Sequence, residues 1–329
     1  MPAPITRRLL LGSAVLAPVA ILMPQGLLAQ TTPPPVVPTK PLSDAVPEQP
    51  APPAGDHKTE EDADAQLTAL EKRTGGRLGV SILDTETNIS LGNRETERFP
   101  MFSTWKALAA GFVLARVDQG KEKLDRRVTF GKEALVAYSP VTEKHAGTDG
   151  MTIAELCEAA VTVSDNTAAN LILDSFGGPS ALTDWLRTTG DTETRLDRRE
   201  PELNQAKKDD PRDTTTPDAI LDTLGLLTLG NTLSDASSAM LTGWLIAATT
   251  GKDRLRAGLP PQWKVGDKTG TGSAGMAADI AIVWPPERGP ILVAAYIAEA
   301  TAPAAELNAV FAEIGKMVAG MVGSSAEEQ

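Results

Sequence analysis

The chain has 329 residues, 41% hydrophobic and 22% charged, enough apolar material for one large domain or two. Its 43 Asp+Glu outnumber 31 Lys+Arg, giving a formal net charge of −12 with no basic cluster, which excludes a nucleic-acid partner. One cysteine, Cys157, and two distant histidines, His57 and His145, exclude a disulfide framework, a cysteine-rich zinc site and a His-built metal centre, so no metal or other cofactor is expected.

Residues 1–29 have the layout of a secretory signal. Arg7-Arg8 precede an apolar run reaching Met23, and Leu27-Leu28-Ala29 offers a small-residue exit. The adjacent arginines resemble a twin-arginine export signal. Pro18, Pro24 and Gly26 argue against a retained span, so the mature chain is expected to be periplasmic or secreted, with no stable membrane association. Residues 30–59 are expected to be a disordered proline-rich linker: nine prolines and no aromatic residue lie between 30 and 55. The globular domain is placed at 60–325.

Within it, Gln66–Thr74 reads as a helix stopped by Gly75-Gly76. Leu78, Val80 and Ile82 alternate as in a half-buried strand, with 88–91 as its hairpin partner. A helix is predicted from Ser103 to Gln119, ended by Gly120. Thr152-Ile153-Ala154-Glu155 has the capping-box form. Asn166–Phe176 is helical up to Gly177-Gly178, and Pro179 starts another helix to Arg187. Residues 191–213 are dense in charge, hold two prolines and lack apolar periodicity, the character of a functional or disordered connection. Helices resume at Thr216–Leu229 and Ser234–Thr249. Strands follow at Trp263–Lys268, Ala278–Trp284 and Ile291–Ala298, then a helix over Pro303–Met321. Strands at both ends around a helical middle predict one antiparallel sheet built from both chain ends, with helices packed on it.

Three short motifs carry chemistry. Ser103-Thr104-Trp105-Lys106 puts a hydroxyl and an amine one turn apart at a helix start, where a lysine of lowered pKa can accept the serine proton. A helix N-terminus also presents unpaired N–H groups to a developing oxyanion. Ser164-Asp165-Asn166 falls in a turn between two helices, and Lys268-Thr269-Gly270 ends a strand. Each alone is also ordinary: a cap, a turn, a strand junction.

In this order the three resemble the class A β-lactamases, and the likeness runs from about residue 63 to 320. Tyr138 to His145, Asp149 to Thr152, Ser164 to Asn170 and Glu200-Pro201-Glu202-Leu203-Asn204 look like class A sequence almost residue for residue. The resemblance implies a β-lactamase/transpeptidase-like α/β fold, an antiparallel sheet with flanking helices plus a mostly α-helical subdomain. It implies hydrolysis of penicillin- or cephalosporin-type antibiotics by a monomer whose partner is the small-molecule β-lactam. Ser103, Lys106, Ser164 and Glu200 are the implied catalytic residues. Tyr138, Asn166, Asn204, Lys268, Thr269, Gly270, Thr271 and Arg254 are the implied substrate-binding set. The acylation base stays open between Lys106 and Glu200 acting through water. Backbone N–H groups of Ser103 and Thr271 would form the oxyanion hole. Arg198 and Asp213 match the ion pair that clamps the Ω-type loop.

Penicillin-binding proteins and D-Ala-D-Ala peptidases share serine, lysine and fold but stall as acyl-enzymes; Glu200 and Asn204 match the family's deacylating pair and argue against that alternative. A non-catalytic wall-binding module would lack part of the set, and only one arginine is displaced. The stretch Met276-Ala277-Ala278 has no arginine where many relatives carry one, so Arg254 is the implied carboxylate anchor, with Arg256 as its competitor. Cys157 matches half of a disulfide whose partner position is Ala110 here, so a buried free thiol is expected.

Overall fold

In a computed structural model, residues 56–273 and 275–326 are described. The expected signal and linker, residues 1–55, lie outside them. The described residues open on α1 (Asp56–Thr74), which begins well before the expected Gln66. β1 (Arg77–Asp84) and β2 (Ile89–Asn93) form a hairpin turned at Asn88, whose φ is +59°. After the two-residue strand β3 (Phe99–Pro100) comes a 3₁₀ turn, Phe102–Thr104, and only then α2 (Trp105–Asp118). Ser103 therefore sits in the 3₁₀ turn and not in the α-helix proper. The Thr104 N–H and hydroxyl both bond the Met101 carbonyl, at 3.1 and 2.7 Å, which closes that tighter turn.

The helical middle follows. β4 (Arg127–Val128) pairs with β5 (Met151–Thr152), which leads into α3 (Ile153–Thr162). Thr152 and Glu155 form the expected capping box. α4 (Asn166–Phe176) ends on Gly177 at φ +104°, a left-handed cap that favours glycine, and α5 (Pro179–Thr188) starts on its proline. The loop 191–213 returns to the sheet side through β6 (Thr214–Thr215), paired with β3. α6 (Pro217–Thr228), α7 (Asp235–Ile246) and the short α8 (Leu255–Gly258) follow; Thr216 and Ser234 cap the first two. Then come β7 (Lys264–Thr271), β8 (Ala277–Trp284), β9 (Ile291–Ala298) and α9 (Ala304–Ala326).

The sheet runs β2-β1-β9-β8-β7, antiparallel throughout, with Leu78 opposite Ile297 and Lys268 opposite Ile280. It is the sheet from both chain ends that the sequence predicts. β7 extends past the expected Lys268 to Thr271, so Lys268-Thr269-Gly270 lies inside the strand, not beyond it. Both faces of the sheet are covered. Ile280, Ile282, Leu292, Ala294 and Tyr296 pack into the core that holds α2 and α6, whereas Val80, Val265, Ala281, Val293 and Ile297 pack against Leu67 of α1 and Phe311 of α9. Burial on two faces explains why β9 reads as an unbroken apolar run and not as an alternation. Cys157 lies buried in α3 with no disulfide, and burial pushes its thiol far above the usual range.

Candidate active site

Ser103 stands where the 3₁₀ turn meets the end of β7. Phe102 just before it has φ +47°, an uncommon left-handed conformation for a bulky residue. Gly270 lets the strand approach: a Cβ there would fall 2.8 Å from the Met101 carbonyl and 3.3 Å from the Ser103 nitrogen. The Ser103 hydroxyl faces Glu200 Oε1 at 3.4 Å.

Lys106, in the first turn of α2, has no exposed side-chain surface. Its Nζ lies 3.1 Å from Glu200 Oε1, and it donates to Asn166 Oδ1 at 2.6 Å, the Ser164 carbonyl at 2.9 Å and Ser164 Oγ at 3.2 Å. Burial lowers its pKa, and Glu200, then Asp165, oppose that shift. Lys106 reaches Ser103 through the Glu200 oxygen that both address.

The Ser164 turn is held from behind by Asp165. Its carboxylate accepts the N–H groups of Val141 and Thr142 at 2.9 Å, the Thr142 hydroxyl at 2.8 Å and the Ala168 N–H at the start of α4. That saturation fixes Ser164 at φ +61° and ties the turn to the segment after Tyr138. The Asn166 side chain and N–H bond the Ala137 and Tyr138 carbonyls. Tyr138 is 60% exposed, and its backbone carbonyl is the group bonded to the cluster. Lys268 joins from β7: Nζ donates to Ser164 Oγ at 3.2 Å and to the Thr269 carbonyl at 2.8 Å. Burial first, and Lys106 second, bring its pKa down to about 7.

Glu200 is buried, and Asn204 donates to its Oε2 at 2.5 Å. Asn204 Oδ1 is buried without a protein partner. Asn170 brackets the Glu200 backbone, its amide donating to the carbonyl at 2.9 Å and its oxygen accepting the N–H at 3.1 Å. Asp213 closes the loop base as expected: Oδ2 takes Arg198 Nε at 2.6 Å and Oδ1 takes the N–H groups of Asp197 and Arg198.

Arg254 lies at the far end of β7. Its guanidinium donates to the Gly270 and Ala278 carbonyls at 2.8 and 2.6 Å and to Thr271 Oγ1 at 2.7 Å, where its outer nitrogen meets solvent. Arg256, the competing candidate, is turned away, paired with Asp267 and bonded to the Leu245 and Ile246 carbonyls. The structure thus gathers Ser103, Lys106, Ser164, Asn166, Glu200, Asn204 and Lys268 into one hydrogen-bonded group, with Thr269 to Thr271 and Arg254 at its edge.

Two contributors escape the motifs. Asn170 follows Asn166 by one helical turn, a spacing that puts both on one face of α4. The Thr250 hydroxyl meets Thr269 Oγ1 at 2.6 Å from the turn after α7, and nothing local announces it.

This geometry can raise a serine nucleophile beside an ammonium–carboxylate pair and hold a water at Glu200. A family model described as the Beta-lactamase enzyme family matches residues 62–322. Beta-lactamase OXY-2 of Klebsiella oxytoca is 45% identical over 253 residues, 77% of this chain and 87% of that protein. Beta-lactamase AST-1 of Nocardia asteroides is 44% identical over 261 residues, 79% of this chain and 84% of that protein. A solved ancestral (GNCA) class A β-lactamase superposes with a TM-score of 0.78 at 61% identity, covering 79% of this chain and 99% of its own.

Proposed function

The chain belongs to the class A β-lactamases and hydrolyses β-lactams, an activity that confers antibiotic resistance, and from that premise we propose that Ser103 is its nucleophile. Ser103 Oγ attacks the lactam carbonyl carbon. Its proton passes to Lys106 in the neutral amine form that burial favours, or through a water to Glu200, which then yields it to Lys106 as Lys106 recharges Ser164 and so is again a carboxylate. The Glu200 oxygen faced by both Ser103 and Lys106 serves either route. Backbone N–H groups of Ser103 and Thr271 receive the oxyanion. As the C–N bond breaks, Ser164 hands its proton to the ring nitrogen and is recharged from Lys106 or Lys268, both within 3.2 Å of its hydroxyl.

The ester left on Ser103 is then hydrolysed. Glu200 takes a proton from water as that water attacks the ester carbonyl, and the Ser103 hydroxyl is restored. The buried, unpartnered Asn204 Oδ1 beside Glu200 supports a held water at this place, and it is the observation that carries the reading as a hydrolase rather than a stalled acyl-enzyme. Lys268, the hydroxyls of Thr269 and Thr271, and the outer nitrogen of Arg254 receive the substrate's ring carboxylate. Asn166 takes the side-chain amide, and the exposed Tyr138 ring borders the entrance. The enzyme acts as an exported monomer, periplasmic or secreted.

Intact mass spectrometry with a slowly turned-over β-lactam tests the scheme. Wild type gains a transient stoichiometric adduct, Ser103→Ala gains none, and Glu200→Ala keeps its adduct while turnover drops roughly 10²–10⁴-fold. An adduct on Ser103→Ala, or unimpaired turnover in Glu200→Ala, rejects these assignments.

A further inference from the structure

Arg254 and Asp279 are ionisable groups that no ion pair within 4 Å answers among the described residues. The four acceptors around Arg254 are all neutral: the Gly270 and Ala278 carbonyls, Thr271 Oγ1 and Asn308 Oδ1. Asp279, fully buried in β8, accepts one N–H, from Leu255 at 3.2 Å, and its Oδ1 has no partner. The neighbouring charges differ, since Asp267 and Arg256 bond each other directly.

The two unmatched groups are stitched together by adjacent residues. Arg254 Nη1 donates to the carbonyl of Ala278, the residue before Asp279. The Leu255 N–H, one residue after Arg254, donates to the Asp279 carboxylate. Asp279 also lies opposite Thr269 in the β7–β8 ladder, directly behind the strand that faces the substrate. A charge removed from water is costly unless an opposite charge compensates it through the low-dielectric interior. Burial lowers the Arg254 pKa, and Asp279 is the chief group opposing this, ahead of Asp267. Burial and Asp267 push the Asp279 carboxyl well up, and Arg254 leads the groups opposing that shift.

We propose that Asp279 is a positioning residue for the substrate's ring carboxylate: its carboxyl group and the bond it accepts from Leu255 hold Arg254, and through Arg254 the Thr271 hydroxyl, at the mouth of the site. The proposal rests on reading Arg254 as the carboxylate anchor. Asp279 touches no substrate. It keeps a guanidinium in a place where every direct partner is neutral, leaving the outer nitrogen to face an incoming anion.

The test is steady-state kinetics on wild type, Asp279→Asn, Arg254→Met and the double variant, with a penicillin and with its methyl ester, rates being taken per active site titrated by acylation. Asp279→Asn is expected to lower kcat/KM for the free acid by about 2- to 20-fold, within the range for coupled neighbours. That loss should fall on KM, spare the ester, and add nothing in the Arg254→Met background. Equal losses on acid and ester, multiplicative losses in the double variant, or wild-type rates in Asp279→Asn overturn the proposal. A selective loss in Arg254→Met without one in Asp279→Asn overturns it while leaving the Arg254 reading intact; no selective loss in Arg254→Met overturns both. If Asp279→Asn alone does not fold, the double variant should fold again, because deleting both charges strands neither. A double variant no more stable than the single one overturns the pairing.

Discussion

Lys106 and Lys268 meet on one hydroxyl, each 3.2 Å from Ser164 Oγ, and neither is exposed. Burial first, and the nearby Lys106 ammonium second, hold Lys268 at about 7, far below an ordinary lysine. The sign of the consequence follows. As pH rises through about 7, Lys268 loses its proton and its pull on the substrate carboxylate, so kcat/KM for a free-acid penicillin should fall. Stability moves the other way. Between that value and the unfolded one near 10.4, the unfolded chain binds the extra proton, so this group makes stability rise with pH. The measurement is a pH–rate profile beside urea midpoints, with Lys268→Arg moving the alkaline limb upward; a profile that stays flat to about pH 9 contradicts the charged role. At this scale the sequence is most legible where chemistry is packed into neighbours. Ser103 and Lys106, or Ser164 and Asn166, are ordinary as single motifs; the three motifs in order make them legible through the family resemblance, and short spacing on one turn then supplies the geometry. Thr250 and Asp279 do not, since each acts through ladder or loop contacts with residues distant in the chain.

The loop from Asp191 to Asp213 shows what an element's composition reveals and what it hides. Dense charge without apolar period marks it as a connection, and that much is readable. Its internal order comes from particular bonds: Asp213 accepts two backbone N–H groups and the Arg198 side chain, and Asn170 clasps the Glu200 backbone from α4. Asp213 is buried whereas the Arg198 side chain keeps 19% exposure. Arg198→Ala should therefore cost about 2–3 kcal/mol, less than the 3–5 typical when a wholly buried pair is broken. Urea unfolding measures that loss. Burst kinetics should show the deacylation step slowed far more than acylation, because the loop carries Glu200 and not Ser103; equal slowing of both steps speaks against a loop-specific role. Other elements were unreadable for a different reason. β3, β4, β5 and β6 have two residues each, too few to show alternation, and exist only through partners elsewhere in the chain. The start of α1 was hidden likewise: Asp56 to Ala65 is polar and charged, without the apolar stripe that marked Gln66–Thr74.

For the whole molecule, the apolar runs near both chain ends point to the sheet, because β1 and β9 pair edge to edge and bury one face against α1 and α9 and the other against α6. The order β2-β1-β9-β8-β7 was not written there, since pairing depends on which edges are left free once the helices pack. The expected export signal lies ahead of this body, and the prediction at this scale concerns it. Arg7→Lys together with Arg8→Lys should retain active enzyme in the cytoplasm, measured as nitrocefin-hydrolysing activity in cell fractions; an unchanged periplasmic fraction rejects the twin-arginine route.

The ladder joining Arg77 to Ala298 also sets a clock on synthesis. A ribosome makes Ser103 and Lys106 early, yet β1 keeps one backbone edge unpaired until Ile291–Ala298 has left the exit tunnel. During that interval the nascent chain carries an unpaired strand edge of the kind that templates aggregation and recruits chaperones. A product cut short anywhere before residue 291 never closes the sheet, however much of its catalytic apparatus has been made. If the expected twin-arginine route is used, machinery that accepts only completed folds should therefore reject chains that end before Ile291–Ala298.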